Sequence, residues 1–329
     1  AYEPEELILE AGAGTRLAEI EALIAARGQQ LAFEPPDLSR LLGSPHSGTL
    51  GGLIACNLAG PRRIKAGAAR DHVLGIRGVS GRGEVFKAGA RVVKNVTGYD
   101  LPKLLTGSYG TLAALTSITV KVLPRPETEE TILVEGLDDT AAVSVMSLAM
   151  QSACEVSGAA HVPGEGTFLR LEGIAASVAA RRDALAKLLA RPVQILAAKA
   201  SSTIWQRIRD VLDLADTPDR QVWRLSVTPS DAPALLAILR GSLEIRYVLD
   251  WAGGLIWLDV PPTEDAAAAV IRGAMRSGHA TLIRAPEGVR AAVDVFHPQA
   301  PALAALAARV KDSFDPRRLF NPGRISRGL

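Results

Sequence analysis

Apolar residues in the first part of the chain recur in short runs that predict alternating strands and helices. The run at 7–9 predicts a strand, and nothing ahead of it is expected to pair with it. The apolar residues that follow have helical spacing and predict a helix, with Thr15 as its N-cap and Gly28 as the residue that stops it. The buried face of this helix is predicted to consist of Leu17, Ile20, Leu23 and Ile24.

Further strand-like runs alternate with turn residues over the same part of the chain. Strands are predicted at 30–33, 73–79, 84–87 and 115–122, with a short helix at 100–106. The sequence SGRG between the second and third of these strands predicts a β-hairpin. We expect residues 1–126 to form one α+β domain whose glycine-rich loops lie at strand ends.

A domain boundary is predicted at Pro124-Arg125-Pro126, because the two prolines hold the chain extended. The following residues, 127–300, are called the cap. The first part of the cap predicts strands at 131–135, 155–162, 167–172 and 193–197, with helices at 140–152 and 175–189. After a helix at 203–214, the second part predicts strands at 221–227, 244–250, 255–259 and 281–284, with helices at 232–240 and 264–277.

This order, βαββαβ twice, predicts a cap of two ferredoxin-like units that form one antiparallel sheet with helices on a single side. The open face of that sheet, with Trp251 and Trp257, is predicted to be covered by a partner protein, since tryptophans often anchor interfaces. Ordinary core positions are the alternative for both tryptophans. Residues 301–329 are predicted to form a helix and a tail that return to the first domain.

Composition narrows the class of protein. The chain has 329 residues, of which 48% are hydrophobic, enough to bury the cores of two domains. The balance of 37 basic and 35 acidic residues gives no electrostatic footprint for nucleic acid. Cys56 and Cys154 offer no disulfide framework, and no apolar run reaches the ~18 residues of a membrane span. These features predict a cytoplasmic protein.

Two glycine-rich stretches are the candidate binding sites. The first glycine loop, 47–52, contains Gly48, Gly51 and Gly52 around Thr49, and the second glycine loop, 107–111, reads Gly-Ser-Tyr-Gly-Thr. Glycines let a backbone turn with φ > 0 and approach a ligand closely, and several N–H groups together form an anion nest. Neither loop matches the Rossmann or P-loop fingerprint. Each loop alone is more typical of a structural turn than of a binding site, whereas the pair favours a cofactor with a diphosphate and a flat ring.

Several segments resemble a known family. Thr-Leu-Gly-Gly at 49–52, ACNLAGPRR at 55–63, GYDLPKLLTGSYGTL at 98–112 and KVLPRP at 121–126 are similar to the FAD-binding domain of the vanillyl-alcohol oxidase type, also called the PCMH type. FEPPDL at 33–38 and GPRR at 60–63 are most similar to the FAD-binding E subunits of bacterial glycolate oxidase. The resemblance covers about 6–126 and resumes at FDPRRLFNPGRI, 314–325. In this family a further βαβ segment precedes the first strand, and that segment is expected to be absent here.

The resemblance implies FAD as the cofactor and assigns the candidate contacts. Contacts to the diphosphate and ribityl chain are implied for Thr49, Gly51, Gly52, Cys56 and Asn57, with Ser47 and Gly48 just ahead of them. Contacts beside the flavin ring are implied for Gly107, Ser108, Gly110 and Thr111. Tyr109, where dehydrogenases of the family more often carry an acidic residue, either stacks on or hydrogen-bonds the flavin, or only fills the gap.

The resemblance also implies partners. A catalytic FAD subunit would oxidise glycolate to glyoxylate, and an iron–sulfur subunit would take the electrons onward. This chain would scaffold the pair, relay electrons through its FAD, and be peripheral on the inner face of the membrane through those partners. Two alternatives stay open: a self-sufficient FAD-dependent 2-hydroxy-acid oxidoreductase, and a structural subunit that has lost FAD.

No catalytic or metal-binding residue is assigned from the sequence. The five histidines, His46, His72, His161, His279 and His297, form no ligand-like spacing. His161 and His279 are predicted core residues, and His46 is at most a flavin contact. The basic cluster Arg62, Arg63, Lys65 and Arg70 could neutralise a diphosphate, but such runs are more often solvated faces or ion-pair partners.

Overall fold

A computed structural model of the chain describes residues 1–89, 99–262 and 266–326. The first part contains β1 Tyr2–Glu3, β2 Ile8–Gly12, α1 Leu17–Ala25, β3 Gln29–Gln30, α2 Ser39–Leu42, α3 Leu50–Cys56, α4 Arg63–Ala66, β4 Val73–Ser80, β5 Val85–Gly89, α5 Leu101–Leu105, β6 Ala113–Lys121 and β7 Leu123–Pro124. Within the described residues, β1-β2-β6-β4-β5 is an antiparallel sheet, and β3 pairs with β7. The predicted hairpin between β4 and β5 is confirmed.

The start of the chain differs from the prediction. The strand at 7–9 does have a partner ahead of it, because β1 pairs antiparallel with β2, with Tyr2 opposite Leu9. A turn reverses the chain between them: the N–H of Leu7 donates to the carbonyl of Pro4 at 3.2 Å, and Leu7 has φ 57°. The pairing was missed because a two-residue strand leaves no periodic pattern.

The first helix also begins differently. Thr15 is not its N-cap: Arg16 holds that position, without a side-chain capping bond. Thr15 lies in a turn, where its N–H donates to Gly12 and its carbonyl accepts from the N–H of Leu50, both at 3.0 Å. Leu23 is 49% exposed rather than buried. The buried face of α1 consists of Leu17, Ile20 and Ile24.

The cap forms a separate antiparallel sheet. Its elements are β8 Thr128–Val134, α6 Asp139–Gln151, β9 Gly158–Val162, β10 Gly166–Gly173, α7 Ala175–Leu189, β11 Gln194–Leu196, α8 Ala198–Arg209, β12 Gln221–Ser226, α9 Ala232–Ser242, β13 Arg246–Asp250, β14 Leu255–Val260, α10 Ala266–Ala274, β15 His279–Arg284 and α11 Glu287–Ala292. The chain then continues into α12, Pro301–Phe314. The predicted start of α10, at 264, lies outside the described residues.

The strand order of the cap confirms the predicted ferredoxin-like repeat. In the described residues the order is β11-β8-β10-β9-β13-β14-β12-β15. When the strands are numbered 1 to 4 within each unit, the first four follow the ferredoxin-like order 4-1-3-2. The last four follow the reverse of this order, 2-3-1-4. The two units meet where β9 pairs with β13, with Leu249 opposite His161. Residues of α6, α7, α9 and α10 pack with the sheet in one large core.

The other face of this sheet is covered by the chain itself, so the prediction of helices on a single side is wrong. Trp205 and Ile208 of α8 pack on it beside Phe168. Leu41 of α2 packs there too, in a cluster with Leu214, Trp251, Leu255 and Trp257. Trp251 and Trp257 are 6% and 5% exposed. Both are core residues, so neither presents a surface to a partner protein.

Buried ion pairs join the first domain to the cap. Arg170 donates to both carboxylate oxygens of Glu34, at 2.9 and 2.8 Å. Arg62 pairs with Glu172 at 2.7 Å, and its backbone N–H donates to Glu34 at 2.9 Å. Because Glu34 belongs to the first domain and Arg170 and Glu172 to β10, this network fixes the cap against the first domain.

The C-terminal helix α12 packs beside the second glycine loop. The ammonium of Lys311 donates to the carbonyls of Thr111 and Phe320, at 2.6 and 2.9 Å, and pairs with Asp315 at 2.6 Å. The N–H of Gly81 donates to the carbonyl of Phe314 at 2.9 Å. Within the described ranges, no helix is both long and apolar enough to cross a membrane.

Candidate functional site

The two glycine loops lie at opposite ends of α3. At the N-terminal end, Thr49 caps the helix, and its side chain accepts a hydrogen bond from the N–H of Gly52 at 3.2 Å. At the C-terminal end, the second loop is fastened to the last turn. The N–H of Gly107 donates to Ile54 at 3.0 Å, and the N–H of Tyr109 donates to Ala55 at 2.8 Å. A helix of seven residues separates the loops by about 10 Å.

Gly51 is required by the packing of α3, and its N–H is not free to bind a ligand. Its N–H donates to the carbonyl of Ala13 at 2.7 Å, and a Cβ at this position would lie 2.8 Å from that oxygen. The N–H of Leu50 is likewise donated to Thr15, and that of Gly52 to Thr49. The N–H groups of Gly51 and Gly52 are thus engaged within the chain, and the contacts of these two residues with a diphosphate or ribityl chain stay predictions.

The unpaired donors of the first loop come just before the helix. In the described part of the chain, the backbone N–H groups of Ser47, Gly48 and Thr49 donate to no acceptor. Gly48 is exposed, and a Cβ there would meet only a methyl group of Leu17, at 3.8 Å. The loop therefore offers three consecutive donors to an anion, at positions where added atoms reach open space.

The second loop is shaped by the hydroxyl group of Thr111 and by two left-handed glycines. Ser108 and Thr111 are buried, and the hydroxyl of Thr111 donates to the carbonyl of Ser108 at 2.7 Å. Gly107 and Gly110 have φ 86° and 66°, which favours glycine at both positions. The N–H of Gly110 donates to no acceptor in the described residues. Ser108 and Thr111 therefore hold the loop in shape, and Gly110 offers its donor.

Tyr109 faces the cap. Its ring packs edge-on against Phe296, with centroids 4.7 Å apart, and its carbonyl accepts from the side chain of Asn321 at 2.9 Å. The backbone is left-handed, with φ 53°, a conformation that costs a non-glycine residue energy and is often kept at binding sites. Burial raises the pKa of Tyr109, so the phenol is neutral. Its hydroxyl has no hydrogen-bond partner among the described residues and is available to a ligand.

Cys56 and Asn57 lie at the junction of α3 and the second loop. Burial raises the pKa of the Cys56 thiol, which keeps it protonated and unreactive. Asn57 is left-handed, with φ 50°, and its side-chain oxygen accepts from the N–H of Arg70 at 3.0 Å. A Cβ at Gly107 would touch the Cβ of Asn57 at 3.4 Å. These two residues therefore border the second loop, not the first.

Two residues of the basic cluster, Arg62 and Lys65, form ion pairs, as the structural interpretation predicted. Arg62 binds Glu172 at 2.7 Å, and Lys65 lies 3.3 Å from Glu155. Arg63 differs, because its guanidinium lies over the ring of Trp251, 4.1 Å from the centroid. It makes no side-chain hydrogen bond or ion pair with any described residue.

A second unpaired arginine meets the same tryptophan. Arg224 of β12 lies 5.0 Å from the centroid of Trp251, and it too lacks a hydrogen-bond or ion-pair partner in the described chain. Burial lowers the pKa of Arg224 to about 10, and it remains protonated at neutral pH. No sequence pattern identified this residue: Arg224 follows a buried tryptophan in an apolar strand, and only the packing of the first domain on the sheet brings it near Tyr109.

The histidines divide between core and surface. His161 is buried, and its Nδ1 lies 2.9 Å from the hydroxyl of Thr167, as expected of a core residue. The same prediction is wrong for His279, which is exposed at the start of the edge strand β15. Partial burial and the neighbouring charges of Arg224 and His297 lower the pKa of His279. His46 is exposed next to the first loop.

The comparisons with known proteins agree with one another in pointing to an FAD-binding family. A family model described as an FAD binding domain matches residues 1–89. The chain is 35% identical over 330 residues to the glycolate oxidase subunit GlcE of Escherichia coli (strain K12), covering 98% of this chain and 83% of that protein. It is 37% identical over 139 residues to the glycolate oxidase subunit GlcD of Bacillus subtilis (strain 168), covering 42% of this chain and 27% of that protein.

Solved structures share the fold. An alkyldihydroxyacetonephosphate synthase superposes with a TM-score of 0.67 at 15% sequence identity, covering all of this chain and 66% of the other. This chain thus spans about two thirds of that enzyme and about a quarter of the GlcD relative. At so low an identity, the structural likeness is evidence of a common architecture alone.

Proposed function

This chain belongs to the family of the glycolate oxidase subunit GlcE, and on that basis we propose that it is the FAD-binding subunit of a glycolate oxidase complex. The family relation extends over nearly the whole chain, the cap included. One structural observation carries the FAD assignment: three consecutive N–H donors at one end of α3 have no acceptor among the described residues, and a left-handed glycine loop lies at the other end. A dinucleotide with a diphosphate and a flat ring needs two such places.

In this proposal, the residues of the first glycine loop have different roles from those that the resemblance implied. Ser47, Gly48 and Thr49 would hold the diphosphate oxygens through backbone N–H groups and hydroxyls. Gly51 would act indirectly, by letting α3 pack against Ala13. Gly52 would act through the cap bond to Thr49.

At the other end of α3, the second loop would border the flavin ring. Gly110 would offer its N–H, and Tyr109 its neutral hydroxyl. Ser108 and Thr111 would keep the loop in shape, while Gly107, Cys56 and Asn57 would line its junction with α3. When bound, FAD supplies reversible two-electron redox chemistry, and these residues orient it and shield it from water.

The partners in this proposal are a catalytic subunit of the GlcD kind, which oxidises glycolate to glyoxylate, and an iron–sulfur subunit that receives electrons. A relative named as a subunit supports an assembly. The ion pairs of Glu34 with Arg170 hold the cap against the first domain, so that a partner would meet the two as one unit. A second candidate is a self-sufficient FAD-dependent oxidoreductase of small hydroxy acids, favoured by Arg63 and Arg224, which lie beside Trp251 and pair with no described acid.

We expect Gly48→Asp to abolish FAD retention. A carboxylate placed among the unpaired donors would occupy them and repel the diphosphate, while the open space around Gly48 lets the chain fold. The dissociation constant for FAD should rise at least about a hundredfold, from the loss of charge-assisted bonds. Flavin absorbance of the purified full-length protein measures this directly.

The matched control is Gly288→Asp, because a Cβ at Gly288 meets nothing within 4 Å and the residue lies in the first turn of α11. This variant makes the same change of charge far from α3 and should keep FAD. Wild-type FAD content in Gly48→Asp, with normal thermal unfolding, would refute the assignment of the first loop.

A further inference from the structure

The C-terminal segment of the chain holds the backbone of the second glycine loop. The carbonyls of Tyr109 and Gly110 accept hydrogen bonds from the side-chain amide of Asn321, at 2.9 and 3.3 Å. The carbonyl of Thr111 accepts from the ammonium of Lys311 at 2.6 Å. Three consecutive carbonyls of the loop are therefore bound by residues that lie 200 to 212 positions later in the chain.

The residues that bind these carbonyls are themselves fixed in place. Lys311 and Asp315 are 3% and 0% exposed, and their charged groups lie 2.6 Å apart. The carboxylate of Asp315 also accepts the N–H groups of Leu319 and Phe320, at 3.0 and 2.8 Å, just before Asn321. A buried polar network whose groups have their partners rigidifies the segment around it. Asn321 therefore approaches the loop from a rigid base.

The loop needs this support because its backbone is strained at Tyr109. Tyr109 has φ 53°, in the left-handed region, which disfavours side chains other than glycine and asparagine. Such a conformation persists only where the surrounding contacts impose it. Among the described residues, the N–H of Tyr109 donates to Ala55 at 2.8 Å, and its carbonyl accepts from Asn321. Asn321 thus supplies one of the two hydrogen bonds that hold this peptide backbone.

The orientation of the Tyr109 carbonyl also fixes the direction of a free donor. This carbonyl and the N–H of Gly110 belong to one trans peptide, in which the two groups point in opposite directions. Because the carbonyl is turned towards Asn321, the N–H of Gly110 is turned away from it. This N–H has no acceptor among the described residues, and it is the donor proposed for the flavin ring. Its direction therefore depends on Asn321.

We propose that Asn321 is a positioning residue for FAD, which keeps Tyr109 left-handed and aims the N–H of Gly110 at the flavin. The inference rests on the proposed binding of FAD and deepens it, because it gives the C-terminal segment a part in tuning the cofactor. An N–H directed at the ring stabilises negative charge there. Since reduced flavin carries more negative charge than oxidised flavin, Asn321 raises the reduction potential of bound FAD.

The test is the reduction potential and visible spectrum of FAD bound to full-length Asn321→Gly. Glycine suits the left-handed backbone at this position, where φ is 42°, and removes the amide. Asn321 is exposed, so the thermal unfolding of the chain should be unchanged. Reduced FAD should lose about tenfold more affinity than oxidised FAD, which lowers the two-electron potential by about 30 mV. An unchanged potential in a folded variant with bound FAD would overturn the proposal.

A charged variant and a matched control separate position from charge. Asn321→Asp keeps the size of the side chain, but its carboxylate only accepts hydrogen bonds, so the potential should fall at least as far. Gln194→Glu makes the same exchange of amide for carboxylate at an exposed residue of the edge strand β11, and it should behave as wild type. A fall in Asn321→Asp with none in Asn321→Gly would assign the effect to charge and overturn the positioning role.

Relief of the strain at Tyr109 gives a readout that general destabilisation would not move. In Tyr109→Asn, residue 109 tolerates the left-handed region with less support from its neighbours. Asn321→Gly should therefore lower the FAD potential at least about twofold less in this background than in wild type, as a double-mutant cycle measures. Equal effects in the two backgrounds would refute the role of Asn321 in holding Tyr109.

The FAD content of each sample separates this inference from the proposed function. A wild-type chain that takes up no FAD would defeat the proposed function and the inference with it. Stoichiometric FAD with one and the same potential in wild type and Asn321→Gly would defeat the inference alone. Loss of FAD from a normally folded Asn321→Gly, with FAD retained by Gln194→Glu, would support the positioning role.

Discussion

Replacing Arg170 with methionine is expected to lower the free energy of unfolding by about 3 to 5 kcal/mol. Arg170 is fully buried and donates to both oxygens of Glu34, and it lies 3.5 Å from Glu172. Methionine fills a similar volume but leaves two buried carboxylates with fewer partners. Equilibrium denaturation in urea, followed by circular dichroism, measures the loss.

Arg182→Met is the matched control. Arg182 pairs with Glu130 at 3.0 Å and with Asp183, but all three side chains are partly or largely exposed. Exposed pairs contribute about 0 to 1 kcal/mol, so this change should be nearly silent. Equal effects of the two substitutions would mean that the buried network does not hold the cap on the first domain.

The same network predicts acid sensitivity. Burial alone would raise the pKa of Glu172, but the charges of Arg170 and Arg62 outweigh it and lower the pKa to about 2. The resulting stability is fully present above the ordinary pKa of about 4.5 and is lost as the pH falls towards 2. In Arg170→Met, the slope of stability against pH between these values should become shallower.

The second large effect is expected from Asp250→Asn at alkaline pH. Asp250 is buried, and burial raises its pKa from 3.8 to about 7. The folded state therefore holds a proton that the unfolded state has lost, and this contribution to stability disappears as the pH rises from about 4 to 7. Since a tenfold change in proton affinity corresponds to about 1.4 kcal/mol, the loss over this range amounts to about 4 kcal/mol.

Asparagine removes that loss because it is neutral at every pH and keeps an oxygen for the N–H of Trp251. The variant should exceed wild type in unfolding free energy by about 2 to 4 kcal/mol at pH 8 and differ little at pH 4. Asp183→Asn, at a largely exposed position, should show no such divergence. Parallel stability curves for Asp250→Asn and wild type from pH 4 to pH 8 would show that Asp250 is ionised throughout.

Local periodicity was sufficient to predict the cap. Short apolar runs in β10 and β12, and helical spacing in α7, identify these elements, although both strands carry buried residues on each face. The order of elements then leaves few topologies, because adjacent strands of a βαββαβ unit have one common arrangement. The covering of the second face was not predictable in this way. Trp205 reaches it through α8 of the cap, and Leu41 reaches it through α2, whose contact with the sheet depends on how the first domain docks.

The candidate site was predicted in part. Both loops were identified from their glycine, serine and threonine residues, because these residue types favour turns and left-handed backbone conformations. Which N–H groups are free depends on contacts distant in sequence, such as Gly51 with Ala13, and so the emphasis on Gly51 and Gly52 shifts to Ser47, Gly48 and Thr49. Arg224 was missed and His279 was wrongly assigned to the core for the same reason. The alternation of residues along a strand predicts which face a side chain lies on, but it does not predict which domain packs on that face.

The central claim, that this chain is an FAD-binding subunit, is tested most directly by the flavin content of the full-length protein. The protein is expressed with and without its candidate catalytic partner, and bound flavin is quantified from the visible absorbance after removal of free FAD. We expect one FAD per chain in both preparations, released on denaturation with the chromatographic mobility of FAD. A colourless chain that takes up no added FAD in either preparation would contradict this claim.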